Sequence, residues 1–153
     1  MKKHAIKSTG VMVILGIMVG VPVGIGGYTF HYAEGWSYFS SDPKACINCH
    51  IMQPQFDSWS RSSHHKVAVC NDCHTTGNVV RKYSIKASNG YWHSWAFTTG
   101  RFKEPIEIKA HNRAIAREAC LNCHQPMLEA SHPQERVESL DCLRCHANVG
   151  HWR

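Results

Sequence analysis

From Ser8 to Phe30 the chain runs for 23 residues without an acidic, basic or histidine side chain. As a helix rising about 1.5 Å per residue, that stretch spans roughly 35 Å, enough to cross the hydrocarbon core of a bilayer. Lys2, Lys3 and Lys7 precede it, and this positive charge places the short N-terminus in the cytoplasm. The pattern divides the chain into a cytoplasmic N-terminus (residues 1–7), one transmembrane anchor (8–30) and an extracytoplasmic, periplasmic domain (31–153) held at the inner membrane. A cleaved signal peptide is the competing reading, since Gly24-Ile25-Gly26 offers a small-x-small site, but the apolar run is longer than a usual signal core. Gly16, Gly20 and Gly24 recur every four residues and would let a second helix approach closely.

Beyond the anchor the pattern is helical in places and nowhere a sustained alternation. Asn78 to Thr99 carries Val79, Val80, Tyr83, Tyr91, Trp92, Trp95 and Phe97 and is compatible with a helix despite Gly90. Ala110 to Ala119 has helix-forming composition, and Pro133 suits the first turn of another short helix. The expected fold is mainly α with irregular loops. Yet the chain is poor in the aliphatic residues that would fill a core of its own, so something other than side chains has to fill the interior.

The cysteines say what. All eight fall into four copies of Cys-x-x-Cys-His: Cys46, Cys49 and His50; Cys70, Cys73 and His74; Cys120, Cys123 and His124; Cys142, Cys145 and His146. Two thiols at this spacing can add to the two vinyl groups of one haem, and the adjacent histidine can reach its iron. Structural zinc and disulfides also use cysteine pairs. Four complete motifs with no cysteine left over favour four covalently bound haem c groups, which would form the core of a small multihaem cytochrome domain. First cysteines lie 24, 50 and 22 residues apart, two close pairs flanking an insert, and such short segments force the porphyrins nearly into contact. That arrangement suits electron hopping.

The formal charge of +6 would ordinarily suggest nucleic acid or an anionic surface. Each haem brings two propionates, however, and the excess Lys and Arg can neutralise them, so nucleic-acid binding is not expected. The aromatic end of the 78–99 insert has two destinations: the headgroup level of the lipid bilayer, or the faces of the haems.

Four irons take up to eight axial ligands, and His50, His74, His124 and His146 supply four. Eight further histidines remain, of which His4 is on the wrong side of the membrane; His31, His64, His65, His93, His111, His132 and His151 supply the candidates for distal ligands. In the first motif Met52 follows His50 at the second position. Two side chains so close cannot readily hold opposite faces of one iron, so either His50 ligates and Met52 packs as an apolar residue, or Met52 displaces it; chemistry alone favours His50.

The anchor, the lead Ser40-Ser41-Asp42-Pro43-Lys44-Ala45 into Cys-x-x-Cys-His-x-Met, the motif spacing and the run Lys86-Ala87-Ser88-Asn89-Gly90-Tyr91-Trp92-His93-Ser94 together resemble the NapC/NirT family of quinol dehydrogenases. Within that family the chain is similar to the small membrane-anchored tetrahaem subunits of cytochrome c nitrite reductase. The resemblance implies that Met52 rather than His50 ligates the first iron, that His151 serves the second haem and that His64, not the adjacent His65, serves the third. It implies that a lysine of the large partner completes the fourth, unless His111 or His132 closes it internally. The function implied is oxidation of membrane quinol, in particular menaquinol, and relay of electrons to a large multihaem catalytic subunit in respiratory nitrite ammonification, within a higher-order complex. The chain would not itself reduce nitrite. A different periplasmic reductase as the acceptor, or a passive tetrahaem carrier without a quinol site, are the alternatives.

A quinol site has to open at lipid depth, close to the anchor and the first motif. Lys86 and His93 lie seven residues apart, two helical turns and hence one face. His93 could take a quinol proton, and Lys86 could hydrogen-bond the ring oxygen. The competing reading makes Lys86 a propionate partner and lets His93 pack beside or ligate the first iron.

Overall fold

The computed structural model describes residues 2–151; the side chains of residues 2–7 and of His50 lie outside the description. It divides into two units, the first ending at Ser37 and the second beginning at Tyr38.

The first unit is dominated by helix α1, Lys2–Tyr32, which passes through Pro22 without ending. Its portion Ser8–Tyr32 is apolar enough to span a membrane. Side chains on every side of it are exposed, Ile14 at 61%, Met18 at 67% and Val23 at 68%, so the helix has no protein-facing stripe. Only lipid satisfies such a surface, because the backbone is satisfied internally and the side chains have no polar face to turn to water. The protein is therefore a single-pass membrane protein. Past the helix the chain closes on itself: the Trp36 ring meets the edge of Phe30 at 5.1 Å, and the Phe30 ring fills the space a side chain on Gly35 would need.

The second unit is built of six helices and connecting turns, with no strand among the described residues. After the short 3-10 turns Pro43–Asn48 and His50–Met52 come α2 (Gln53–Ser60), α3 (Cys70–His74), α4 (Val79–Thr99), α5 (Ala110–Ser131), α6 (Gln134–Ser139) and α7 (Cys142–Cys145). Local chemistry fixes the ends. The Asn78 side chain accepts the Arg81 amide at 3.0 Å and starts α4, while Gly100, at φ 64, supplies the left-handed residue that stops it. The Asp72 carboxylate accepts the Val69 amide at 2.9 Å at the head of α3. Helix α5 continues past the expected Ala119 to Ser131, carrying the third motif and Pro126 inside it, where the proline has no N–H to give the Asn122 carbonyl.

Among the described residues the buried apolar side chains are only Trp59, Ile85, Ile115, Ala116, Ala119 and Val137. Polar ties do much of the cross-linking instead. Arg81 forks onto Glu118 at 2.6 and 2.7 Å, Arg113 onto Asp141 at 3.0 and 2.9 Å, and Asn112 donates to Asn89 at 3.0 Å. Arg117 donates to the carbonyls of Leu140, Val137 and Glu138, closing the end of α6.

Candidate haem and quinol site

Three of the four cysteine motifs lie on a helical turn. In α3 the residues Cys70, Cys73 and His74 occupy positions i, i+3 and i+4, and in α5 Cys120, Cys123 and His124 repeat the pattern. That spacing puts two thiols and one imidazole on the same face, as one planar group bound at its edge and its iron requires. The fourth motif forms α7 with His146 capping it. The first differs: its 3-10 turn ends at Cys49, which is extended at φ −87, ψ 104, and a new turn begins at the next residue. The backbone therefore does not carry His50 onward along the face that bears Cys46; the His50 side chain lies outside the described residues.

No disulfide joins any of the eight cysteines, so all remain for haem attachment. Cys46 lies beside Cys70 and close to the Lys86 ammonium. Helix α3 packs against the Pro43–Asn48 turn and against α5, and α5 packs against α7. The four motifs therefore adjoin in chain order, first to second, second to third, third to fourth. Among the described residues no three His, Cys, Asp or Glu side chains gather as a site for a bare metal ion.

Histidine rings from distant parts of the sequence meet in pairs. His74 faces His151 with ring centres 5.9 Å apart, and His64 faces His124 at 6.1 Å. With metal–imidazole bonds of about 2.0–2.1 Å, an iron held between two opposed rings sets their centres roughly 6.3 Å apart, so both pairs stand at the separation that one bis-histidine iron needs. The donor set thus fits haem. His151 donates from Nδ1 to the Gln55 carbonyl at 3.0 Å, which leaves Nε2 as the ring nitrogen available to a metal. His64 Nδ1 meets the Ser63 hydroxyl at 3.2 Å. Its neighbour His65 is turned the other way, edge-on to Trp59 at 4.7 Å. His74 is lowered to about 4, by desolvation and then by His151 and His93, and so presents a neutral imidazole at physiological pH. The two internal candidates for the fourth iron stand at opposite ends of one helix, His111 in the first turn of α5 and His132 capping its last, both exposed. Met52 is half-buried at the head of α2.

Lys86 and His93 share one face of α4 but have different surroundings. The Lys86 ammonium donates to the Ser40 carbonyl at 2.7 Å, and the Asn71 amide of the second motif donates to the same oxygen at 3.3 Å. Lys82, one turn earlier, donates to the Ser41 hydroxyl at 3.1 Å. Desolvation and then the Lys82 charge lower Lys86, against the pull of Cys46. His93 is lowered by desolvation and then by Lys109, whose ammonium sits 5.8 Å over the Trp92 ring. Tyr91 and Trp95, elsewhere around α4, are exposed. Sequence spacing found Lys86 and His93; it gave no role to Ser40, Gln55 or Lys109 in the site, because the first two act through backbone carbonyls and the third as a charge from another segment.

Known proteins resemble this chain over most of its length. The chain is 37% identical to the cytochrome c-type protein NrfH of Wolinella succinogenes over 147 residues, 88% of this chain and 82% of that one. It is 30% identical to the cytochrome c nitrite reductase subunit NrfH of Nitratidesulfovibrio vulgaris over 125 residues, 79% and 74% of the two chains. Its fold matches a chain in the crystal structure of the cytochrome c nitrite reductase NrfHA complex bound to the inhibitor HQNO, with a TM-score of 0.64 and 27% identity over 93% of this chain and 91% of that one. Residues 2–153 match the family described as NapC/NirT cytochrome c family, N-terminal region. A helical cytochrome with one membrane span, four adjoining Cys-x-x-Cys-His motifs and haem c as its cofactor, this chain belongs to the NapC/NirT cytochrome c family.

Proposed function

We propose that this chain oxidises membrane quinol and passes the electrons to the catalytic subunit of a cytochrome c nitrite reductase, with which it forms a complex. The observation that carries the proposal is the meeting of α4 with the lead into the first motif: a half-buried lysine, Lys86, donates to the Ser40 carbonyl beside Cys46, at the head of four motifs that adjoin in order. The relatives named for cytochrome c nitrite reductase support the choice of partner. The basic residues before the apolar span support an N-terminus in the cytoplasm and a periplasmic haem domain.

The cysteine pairs Cys46 and Cys49, Cys70 and Cys73, Cys120 and Cys123, Cys142 and Cys145 hold one haem each. His74 with His151, and His124 with His64, ligate the second and third; His146 holds one side of the fourth, and Met52 rather than His50 serves the first. When bound, the haems supply one-electron acceptors in series for the two electrons a quinol gives up. One of the two protons released is taken by a residue of the chain, and the other leaves to water. His93, neutral because its surroundings and Lys109 disfavour the charged ring, accepts one proton from the quinol hydroxyl. Lys86 keeps N–H bonds beyond the one it gives Ser40, and directs one at the ring oxygen as charge develops there.

The test is to replace Lys86 and His93 by Ala, singly, in the full membrane-bound chain. All four haems should remain and dithionite should reduce them, while electron transfer from a quinol analogue falls about tenfold or more. Normal quinol oxidation in both variants would remove the site from α4.

A further inference from the structure

The face of α4 that carries Lys86 and His93 carries a third position between them. Residues 86, 90 and 93 follow the i, i+4, i+7 rule, and position 90 is glycine. A Cβ there would stand 2.9 Å from Cε1 of Tyr38, 3.2 Å from its Cζ and 3.4 Å from its Cδ1, so the Tyr38 ring lies directly on the helix backbone at that point. The contact is one of a series. Segment 38–41 runs antiparallel along α4: Tyr38 rests on Gly90, the Phe39 ring meets Tyr83 at 6.0 Å, the Ser40 carbonyl takes the Lys86 ammonium at 2.7 Å, and the Ser41 hydroxyl takes Lys82 at 3.1 Å. The strap leads within a few residues into Cys46. Tyr38 is half-buried and adjoins Cys46 and Cys49, the attachment points of the first haem.

We propose that Tyr38, seated on Gly90, is the flat wall of the quinol site, the ring against which the quinol head group stacks between Lys86 and His93. This rests on the quinol-oxidising reading of that face and adds a binding residue to it. An aromatic wall suits a planar aromatic substrate, because offset stacking adds attraction beyond simple burial. Glycine at position 90 is what allows it: any side chain there would push the ring off the helix and narrow the space between Lys86 and His93. The phenol oxygen is not required for stacking; the ring is.

The experiment uses the full chain in lipid vesicles with menadiol as the reductant and its catalytic partner with excess nitrite as the electron acceptor, and measures KM and kcat together with equilibrium binding of the oxidised form, menadione. Tyr38→Phe keeps the ring and should leave KM within about twofold of the unaltered chain. Tyr38→Leu should raise KM about tenfold and weaken menadione binding in parallel, with kcat little changed and all four haems retained. Gly90→Ala should act in the same direction. Combining Gly90→Ala with Tyr38→Leu should be no worse than Tyr38→Leu alone, since the ring that the added methyl group would displace is then gone. Unchanged KM and binding in Tyr38→Leu, while Lys86→Ala still abolishes menadiol oxidation, would overturn this inference and leave the quinol site standing. Loss of the first haem in Tyr38→Leu and Tyr38→Phe alike would overturn it in favour of a purely structural ring. Unchanged behaviour in the Lys86, His93 and Tyr38 variants together would overturn both.

Discussion

Met52 and His50 are two residues apart, and the break in the backbone at Cys49 separates their prospects. In the second and third motifs the histidine continues the helical turn that carries the cysteines, in the fourth it caps that turn, and in the first the turn ends one residue before it. Replacing Met52 by Ala should therefore alter the spectrum of one haem, whereas replacing His50 should leave iron ligation largely unchanged. A spectrum that responds to His50 alone would contradict the assignment. At the same scale, His93 sets a pH dependence. A proton acceptor works in its neutral form, and the pKa of His93 is lowered from the ordinary histidine value near 6.5 by desolvation and by Lys109. The rate of quinol oxidation should stay flat as pH falls through 6.5 and decline only below it, and Lys109→Ala should move that decline toward higher pH. A decline centred at or above 6.5 in the unaltered chain would exclude His93 as the acceptor.

At the level of elements, α4 organises the site: one side holds Lys86, Gly90 and His93 along the strap, while Tyr91 and Trp95 are exposed. Its start depends on the Asn78 side chain. Asn78→Ala should cost about 1 kcal/mol, lowering the thermal midpoint by about 2–4 °C with haem content unchanged; an unchanged midpoint would show that packing alone fixes the start. Much of this element was legible in the sequence, since apolar spacing outlined the helix and the seven-residue separation put Lys86 and His93 on one face. The extension of α5 to Ser131 was not, because a proline in a helix removes one backbone hydrogen bond and nothing in the composition beyond it signals that the helix goes on. The choice between His64 and His65 could not be made from adjacent identical residues on chemical grounds; it is the turn at 61–67 that sends one ring to His124 and the other to Trp59. Similarly, Tyr38 shows no periodicity with α4, since its contact with Gly90 is made between segments far apart along the chain.

For the whole molecule, the small side-chain core and the pairing of histidines at 5.9 and 6.1 Å belong together. The few apolar side chains buried among the described residues do not hold a domain of this size by themselves, and the space between the motif helices is set by groups that bind there. Haem attachment and folding should accordingly be coupled: a chain expressed without haem maturation should fail to fold cooperatively, read by circular dichroism and proteolysis. A stable, protease-resistant apo-domain would contradict that coupling. The central claim concerns the entry of electrons, and one measurement addresses it directly. The purified full chain in lipid vesicles is mixed with a menaquinol analogue, and haem reduction is followed by absorbance in a stopped-flow instrument. The account predicts rapid reduction by the quinol, lost in Lys86→Ala, with dithionite still reducing both proteins; reduction by dithionite but not by quinol in the unaltered chain would show a passive carrier and contradict it.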